Sequence, residues 1–90
     1  MEGTYQREII VQQPDFIIVK LTLEKDAVLP THKSRGLTTI IPVKGEGILT
    51  RNAEAIAIRP GVSVELTPHD EHDLLAKTVL ELIVVEVFLK

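Results

Sequence analysis

The side chains with the clearest chemical potential in this sequence are its three histidines, His32, His69 and His72. Imidazole binds transition metals through a ring nitrogen, forms hydrogen bonds and changes its charge near neutral pH. His32 and His72 each follow closely on a proline, in a predicted loop or at a predicted strand start. An ordinary surface position is the simplest interpretation of any one of them. The shared position of His32 and His72 after a proline nevertheless leads to the hypothesis that they belong to one site.

The sequence contains no motif for nucleophilic catalysis, a thiolate metal site or a phosphate-binding loop. Cysteine is absent, which excludes disulfides, thiolate zinc sites and a cysteine nucleophile. Ser34 and Ser63 are the only serines, and neither lies in a nucleophile-elbow motif. The glycines of the segment 45–47 precede no predicted helix, so they do not indicate a phosphate-binding loop. No catalytic residue is therefore assigned from the sequence.

Length and charge set the class of the protein. The 90 residues predict one domain, residues 1–90, with a single core over about residues 16–87. The net charge is −3 and the basic residues are scattered singly, so no nucleic-acid partner is expected. The apolar runs are far shorter than a membrane span of about 20 residues. The sequence starts without a secretory pattern, which predicts a cytoplasmic protein.

The elements that must position the histidines are predicted to be β-strands. Apolar and polar residues alternate with a period of two, and valine and isoleucine dominate the apolar positions. The predicted strands are residues 8–11, 16–23, 27–31, 37–43, 48–50, 54–58, 62–66, 72–76 and 78–89. Short strands with regular turns and no helical segment predict an all-β antiparallel sandwich or small barrel. Glu81 and Glu86 interrupt the last strand, where edge or surface positions explain them most simply. The alternative for Glu86 is a side chain that points into the pocket.

Two short motifs resemble those of the cupin superfamily. The first family motif reads G-x5-H-x-H-x3-4-E-x6-G. With His32 at its first histidine, Ser34 takes the place of the second histidine, Thr38 that of the glutamate, and Gly45 that of the closing glycine. Asp26 then stands where the motif opens with glycine. The spacing of this motif is intact, but its metal ligands are degraded.

The second motif resembles a Pro-Gly turn, a strand, a proline loop and a histidine that begins a strand. Pro60-Gly61, the apolar positions of 62–66, Pro68 and His72 follow that order. The family's loop is usually one residue longer than the loop from Pro68 to His72. The resemblance covers about residues 16–87. It implies a single-domain cupin of the conserved-barrel type, with an antiparallel jelly-roll β-barrel.

The resemblance also implies where a metal or ligand would bind. Cupin metal sites resemble three imidazoles and one carboxylate around Fe, Mn, Ni, Zn or Cu, which those ligands suit. His32 and His72 are the matching imidazoles here, and His69 is the candidate for a third. An acidic residue of the loop, Asp70, Glu71 or Asp73, could supply an oxygen.

The alternative to a metal site is a neutral polar pocket. It would contain His32, Ser34, Thr38 and His72. Either arrangement requires His32 and His72 to meet at one barrel mouth, although 40 positions separate them in the sequence.

Three functions are consistent with this pattern. The first is a cupin that binds a small polar molecule, with or without a divalent metal, in the barrel mouth. The second is a metal-dependent cupin oxygenase or isomerase acting on a small substrate. The third is a structural or sensor subunit. The missing second histidine and glutamate favour the first.

A homodimer is also expected. The runs 16–19 and 82–85 are apolar at consecutive positions, so both faces of the sheet need to be covered there. One face can pack into the barrel and the other against a second copy. The alternative is that residues 1–11 fold back and cover this surface within one chain.

Overall fold

A computed structural model describes residues 4–88, which form nine β-strands and no helix. The strands are β1 (Tyr5–Gln12), β2 (Phe16–Leu23), β3 (Val28–Lys33), β4 (Leu37–Lys44), β5 (Gly47–Arg51), β6 (Glu54–Ile58), β7 (Val64–Leu66), β8 (Glu71–Ala76) and β9 (Leu80–Val87). β2 and β6 have the predicted bounds. The predicted last strand extended to Leu89, which lies outside the described residues. The all-β prediction is confirmed.

Two antiparallel sheets form the jelly-roll barrel. The five-stranded sheet has the order β1-β2-β9-β4-β7, and the four-stranded sheet has the order β3-β8-β5-β6. Both sheets contribute aliphatic side chains to one buried cluster, and these are Leu23, Ala27, Ile40, Leu49, Ile58, Val64, Leu66, Leu74, Ala76, Leu80 and Leu82. Because the two sheets share this core, each strand has an inner and an outer face.

The two apolar runs divide between these faces. On β2, Ile17 and Val19 point inward and are 4% and 5% exposed. Phe16 and Ile18 alternate with them and lie half-buried on the outer face. The same outer face of the five-stranded sheet carries Ile41, Ile83 and Val85, which are also half-buried. We call Phe16, Ile18, Ile41, Ile83 and Val85 the outer patch.

The two positions that are glycine in the first family motif both have a left-handed backbone conformation in this chain. Gly45, at the closing glycine of the first motif, has a φ of +86° in the turn between β4 and β5. A Cβ atom on Gly45 would overlap the carbonyl oxygen of Val79. Asp26, at the place of the opening glycine, has a φ of 70°. Aspartate is one of the few residues that tolerate this region, so the chain keeps the turn without glycine.

The described part of the chain contains no helix long and apolar enough to cross a membrane. The cytoplasmic location and the absence of a nucleic-acid partner remain predictions.

Candidate functional site

An open cavity of about 450 Å³ lies between the two sheets. Its inner wall is aliphatic, and the residues that form it include Ile17, Val19, Leu49, Leu74, Leu82 and Val84. Polar and ionisable side chains surround its mouth. The volume falls within the range of pockets for small organic ligands, about 300–1,000 Å³.

The two motif histidines meet at this mouth. His32, near the end of β3, is the direct cross-strand partner of His72, near the start of β8. Their ring centroids are 4.2 Å apart, and the rings form an edge-to-face pair with an interplanar angle of 60°. The predicted convergence of His32 and His72 is therefore confirmed. β3 extends two residues beyond its predicted end, which places His32 inside the strand.

The orientation of His32 is fixed by its own strand. Its Nδ1 atom lies 2.9 Å from the carbonyl oxygen of Pro30. A carbonyl oxygen only accepts hydrogen bonds, so Nδ1 carries the hydrogen and donates it. In the neutral ring the lone pair is then on Nε2. His32 thus has one nitrogen committed to the backbone and one available to a partner.

His72 is the buried member of the pair. It is only 5% exposed, and its Nδ1 atom has no hydrogen-bond partner among the described residues. Burial lowers the pKa of the His72 ring below its usual value of 6.5, and the neighbouring His32 lowers it further, while the backbone and carboxylate of Asp70 oppose this shift only in part. His72 is therefore neutral at pH 7. A buried polar atom without a partner costs about 1–3 kcal/mol.

Thr38 and Glu86 form a second polar group in the cavity. Thr38 is 4% exposed, and its hydroxyl lies 3.3 Å from Oε2 of Glu86. The same Oε2 accepts a hydrogen bond of 3.3 Å from the backbone N–H of Arg35. The edge or surface position predicted for Glu86 is wrong, because its cross-strand neighbours are Thr38 and the inward-pointing Ile17. Glu86 lies on the same face of β9 as the buried Leu82, which the sequence alone does not identify as the inner face.

All four residues of the predicted pocket, His32, Ser34, Thr38 and His72, line this cavity. Ser34 lies in the loop after β3 and is half-buried. That these residues bind a ligand remains a prediction. The sequence interpretation missed three basic residues at the mouth, which are Arg7, Lys33 and Arg35.

His69 is separate from the histidine pair. It lies exposed in the turn before β8 and is not among the residues that line the cavity. Asp70 holds this turn, because its Oδ2 accepts a hydrogen bond of 2.8 Å from the backbone N–H of Thr67. That bond, together with one from Asn52, lowers the pKa of the Asp70 carboxyl. The structure therefore does not bring His69 together with His32 and His72 as a third imidazole.

The other proposed oxygen donors lie on the wrong face of β8. Glu71 and Asp73 alternate with His72 along the strand, so their side chains are on the outer face of the sheet. Asp73 accepts a hydrogen bond of 3.2 Å from the Thr31 hydroxyl there. Within residues 4–88, no three His, Asp or Glu side chains come together in a group that could hold a metal ion.

The donor set therefore does not fit a resident divalent metal. Such ions prefer at least three protein ligands of imidazole, carboxylate or thiolate type. The cavity offers two imidazoles in edge-to-face contact and the Glu86 carboxylate, but the described residues do not bring three such groups together. Nδ1 of His32 is already hydrogen-bonded to the backbone. No chemical step is assigned to a metal here.

Because the residues of the cavity do not fit a divalent metal, the protein is predicted to contain little metal. Protein purified without a histidine tag is expected to contain far less than one equivalent of Fe, Mn, Ni, Zn and Cu combined. Inductively coupled plasma mass spectrometry measures this directly. A nearly stoichiometric metal that is lost in a His32→Ala variant would contradict the prediction.

No protein-family model and no curated protein matches the sequence. Solved structures do match it. A RmlC-like cupin from Shewanella frigidimarina NCIMB 400 superposes with a TM-score of 0.90 at 21% identity, covering 100% of this chain and 81% of that chain. A cupin superfamily protein from Desulfitobacterium hafniense DCB-2 has a TM-score of 0.90 at 15% identity, covering 98% and 81%. A predicted oxalate decarboxylase from Thermotoga maritima has a TM-score of 0.86 at 18% identity, covering 94% and 81%. At these identities the comparison is one of fold.

Proposed function

Because the chain has the cupin fold, with an open cavity between its two sheets, we propose that it binds a small organic molecule in that cavity. The inner wall supplies apolar surface, and the mouth supplies a few polar groups. This division is typical of small-molecule sites, in which apolar contacts give affinity and polar contacts give orientation.

The observation that carries this proposal is the state of His72. Its ring is buried in the cavity wall, and Nδ1 has no partner among residues 4–88. Buried polar atoms in native proteins nearly always form hydrogen bonds, so one that does not needs an explanation. Nδ1 is itself shielded from solvent in the observed orientation, so a rotation of the ring towards the cavity would let a ligand pair with this nitrogen and remove the cost of its burial.

The second candidate is a metal-dependent cupin enzyme. The structural neighbour from Thermotoga maritima is described as a predicted oxalate decarboxylase, which is an enzyme. In this chain, Ser34 and Thr38 replace the second histidine and the glutamate of the motif. Hydroxyl groups are poor substitutes for an imidazole and a charged oxygen. Ligand binding without a metal therefore fits the residues better.

The experiment compares binding of a matched probe series to the protein and to two tryptophan variants. The probes are four 4-phenylbutyl compounds that carry a carboxylate, amide, alcohol or ammonium head group. Methyl NMR spectra report binding through Leu49, Leu74 and Val84, which line the cavity. Ser34→Trp is expected to obstruct the mouth, and Ser63→Trp is its control on an exposed loop.

At least one probe is expected to shift the cavity methyl signals of the wild-type protein and of Ser63→Trp at millimolar concentration. Ser34→Trp is expected to weaken that binding at least about tenfold, which is 1.4 kcal/mol. Binding that is unaffected by Ser34→Trp would place the site elsewhere. The absence of any probe-induced shift would contradict the proposed function.

We further propose that two copies associate through the outer patch. Ile18, Ile83 and Val85 lie on adjacent strands of one sheet face, and large apolar patches are rare on monomers. Light scattering is expected to give about twice the chain mass of 10.0 kDa. Ile83→Arg is expected to give the monomer mass. The control Leu75→Arg, on the outer face of the other sheet, should remain dimeric, and a monomeric wild-type protein would overturn this proposal.

A further inference from the structure

The charge of the cavity mouth differs in sign from that of the whole protein. The chain has a net charge of −3, with 13 acidic and 10 basic residues. Among the described residues that line the cavity, those with a formal charge are Arg7, Lys33, Arg35 and Glu86. Three cations and one carboxylate give this site a formal charge of +2. An excess of positive charge at one opening attracts anions and repels cations.

Glu86, the one carboxylate among the described residues that line the cavity, already has partners. Glu86 accepts a hydrogen bond from the backbone N–H of Arg35 and lies 3.3 Å from the Thr38 hydroxyl. The Arg35 Nε atom is 4.0 Å from its other oxygen. A carboxylate with these partners has little capacity left for the ammonium group of a ligand. Glu86 therefore does not make the cavity a cation site.

The other two cations have no such partner. Within the described chain, neither Arg7 nor Lys33 forms an ion pair. Arg7 is the cross-strand partner of Leu21 on the inner face of the five-stranded sheet. A guanidinium in this position presents several N–H donors that match the planar geometry of a carboxylate.

The wall behind this mouth is apolar. Leu21, Leu29 and Val84 line the cavity and are half-buried, so they present part of their apolar surface to it. These three side chains approach the cavity from both sheets. A ligand that fills the cavity must therefore bring an apolar body to the inner wall and its charge to the mouth. A small multiply charged anion would leave the apolar wall uncovered.

We infer that the ligand of this cavity is an organic monoanion, whose carboxylate lies at the mouth lined by Arg7, Lys33 and Arg35 and whose apolar body lies against the inner wall. This inference rests on the proposed function and specifies its ligand class. The formal charge of +2, set by three cations against Glu86, suits a single negative charge better than a cation. Charge-assisted hydrogen bonds from arginine to carboxylate are about twice as strong as neutral ones.

The test compares the head groups of the 4-phenylbutyl series on one apolar body. Dissociation constants for 4-phenylbutanoate, 4-phenylbutanamide and 4-phenylbutylamine are measured by the same methyl NMR titration. The carboxylate is expected to bind at least about tenfold more tightly than the amide, and the amine most weakly. Raising the salt concentration should weaken the binding of the carboxylate more than that of the amide.

Variants separate the charge effect from the apolar contacts. The double variant Arg7→Gln/Arg35→Gln is expected to reduce the preference for carboxylate over amide to less than about threefold, while the amide affinity changes little. Arg59→Gln, in the turn after β6 and away from the cavity, is the control and should keep the preference.

Each outcome decides a different point. Equal binding of carboxylate and amide, or tighter binding of the amine, would overturn the monoanion inference and leave the proposed function standing. A preference that survives the double variant would also overturn it. If no probe of the series binds in the cavity, the proposed function itself fails.

Discussion

Replacing His72 with leucine is expected to raise the free energy of unfolding by about 1–3 kcal/mol, because the variant removes a buried polar atom that has no partner. His72 is 5% exposed and its Nδ1 atom is unpaired among residues 4–88. Leucine has a similar size and suits a wall that already contains Leu49 and Leu74. The same variant should weaken binding of cavity ligands. Urea denaturation and probe titration measure the two effects.

The gain in stability should grow as the pH falls. Burial and His32 lower the pKa of His72 in the folded protein below 6.5, its usual value in an unfolded chain. Below about pH 6.5 the unfolded chain therefore takes up a proton before the folded protein does, which destabilises the wild-type fold. The wild-type fold therefore keeps its full stability above pH 6.5 and loses part of it as the pH falls towards the folded pKa of His72. The His72→Leu variant has no imidazole at this position and does not undergo this loss. The difference in stability between the two proteins should therefore be larger at about pH 5.5 than at about pH 7.5.

His69→Leu is the matched control for this prediction. His69 is exposed in the turn before β8, so its replacement should change the free energy of unfolding by less than about 0.5 kcal/mol at pH 7.5. A His72→Leu variant that is less stable than the wild-type protein would show that His72 stabilises the fold. Its burial would then need no ligand to explain it.

Replacing Gly45 with alanine is expected to lower the free energy of unfolding by more than about 2 kcal/mol. Gly45 has a φ of +86°, and an added Cβ would overlap the backbone oxygen of Val79. The backbone cannot yield easily there, because the carbonyl of the next residue, Glu46, accepts a hydrogen bond of 3.0 Å from the N–H of Lys77. The strain and the overlap therefore add. Urea denaturation measures the loss.

Gly61→Ala separates these two causes. Gly61 has a φ of +96°, but an added Cβ would meet nothing within 4 Å. Its replacement should cost only the conformational strain, about 1 kcal/mol. Equal losses at the two positions would contradict the overlap at Gly45. A Gly45→Ala chain that does not fold, beside a folded Gly61→Ala, would agree with it.

The sequence predicted most of the strands because turn residues and a period-two pattern mark them. β2 and β6 were predicted with their observed bounds, Phe16–Leu23 and Glu54–Ile58. The end of β3 was placed at Thr31, two residues too early, because its last residues are held in the strand by pairing with β8. Such pairing joins distant parts of the chain and leaves no local signal in residues such as Pro30 and His32.

The site residues could be predicted from the sequence where a motif fixes their spacing. They could not be predicted where the orientation of a strand determines which side chains face the cavity. His32 and His72 were placed together by the two motifs, and the cross-strand register brings them into contact. β9 is apolar on both faces, so its alternation did not reveal that Glu86 points inward. His69 is close to His72 in sequence, but the turn held by Asp70 keeps it outside the cavity.

The most direct test of ligand binding in the cavity is the imidazole nitrogen spectrum of the protein during titration with 4-phenylbutanoate. If the ligand partners the buried ring, the Nδ1 resonance of His72 should shift along the same binding curve as the methyl signals of Leu74 and Val84. The His69 nitrogens should remain unchanged, because that ring lies outside the cavity. Methyl shifts that saturate while the His72 nitrogens stay unchanged would contradict the role assigned to His72.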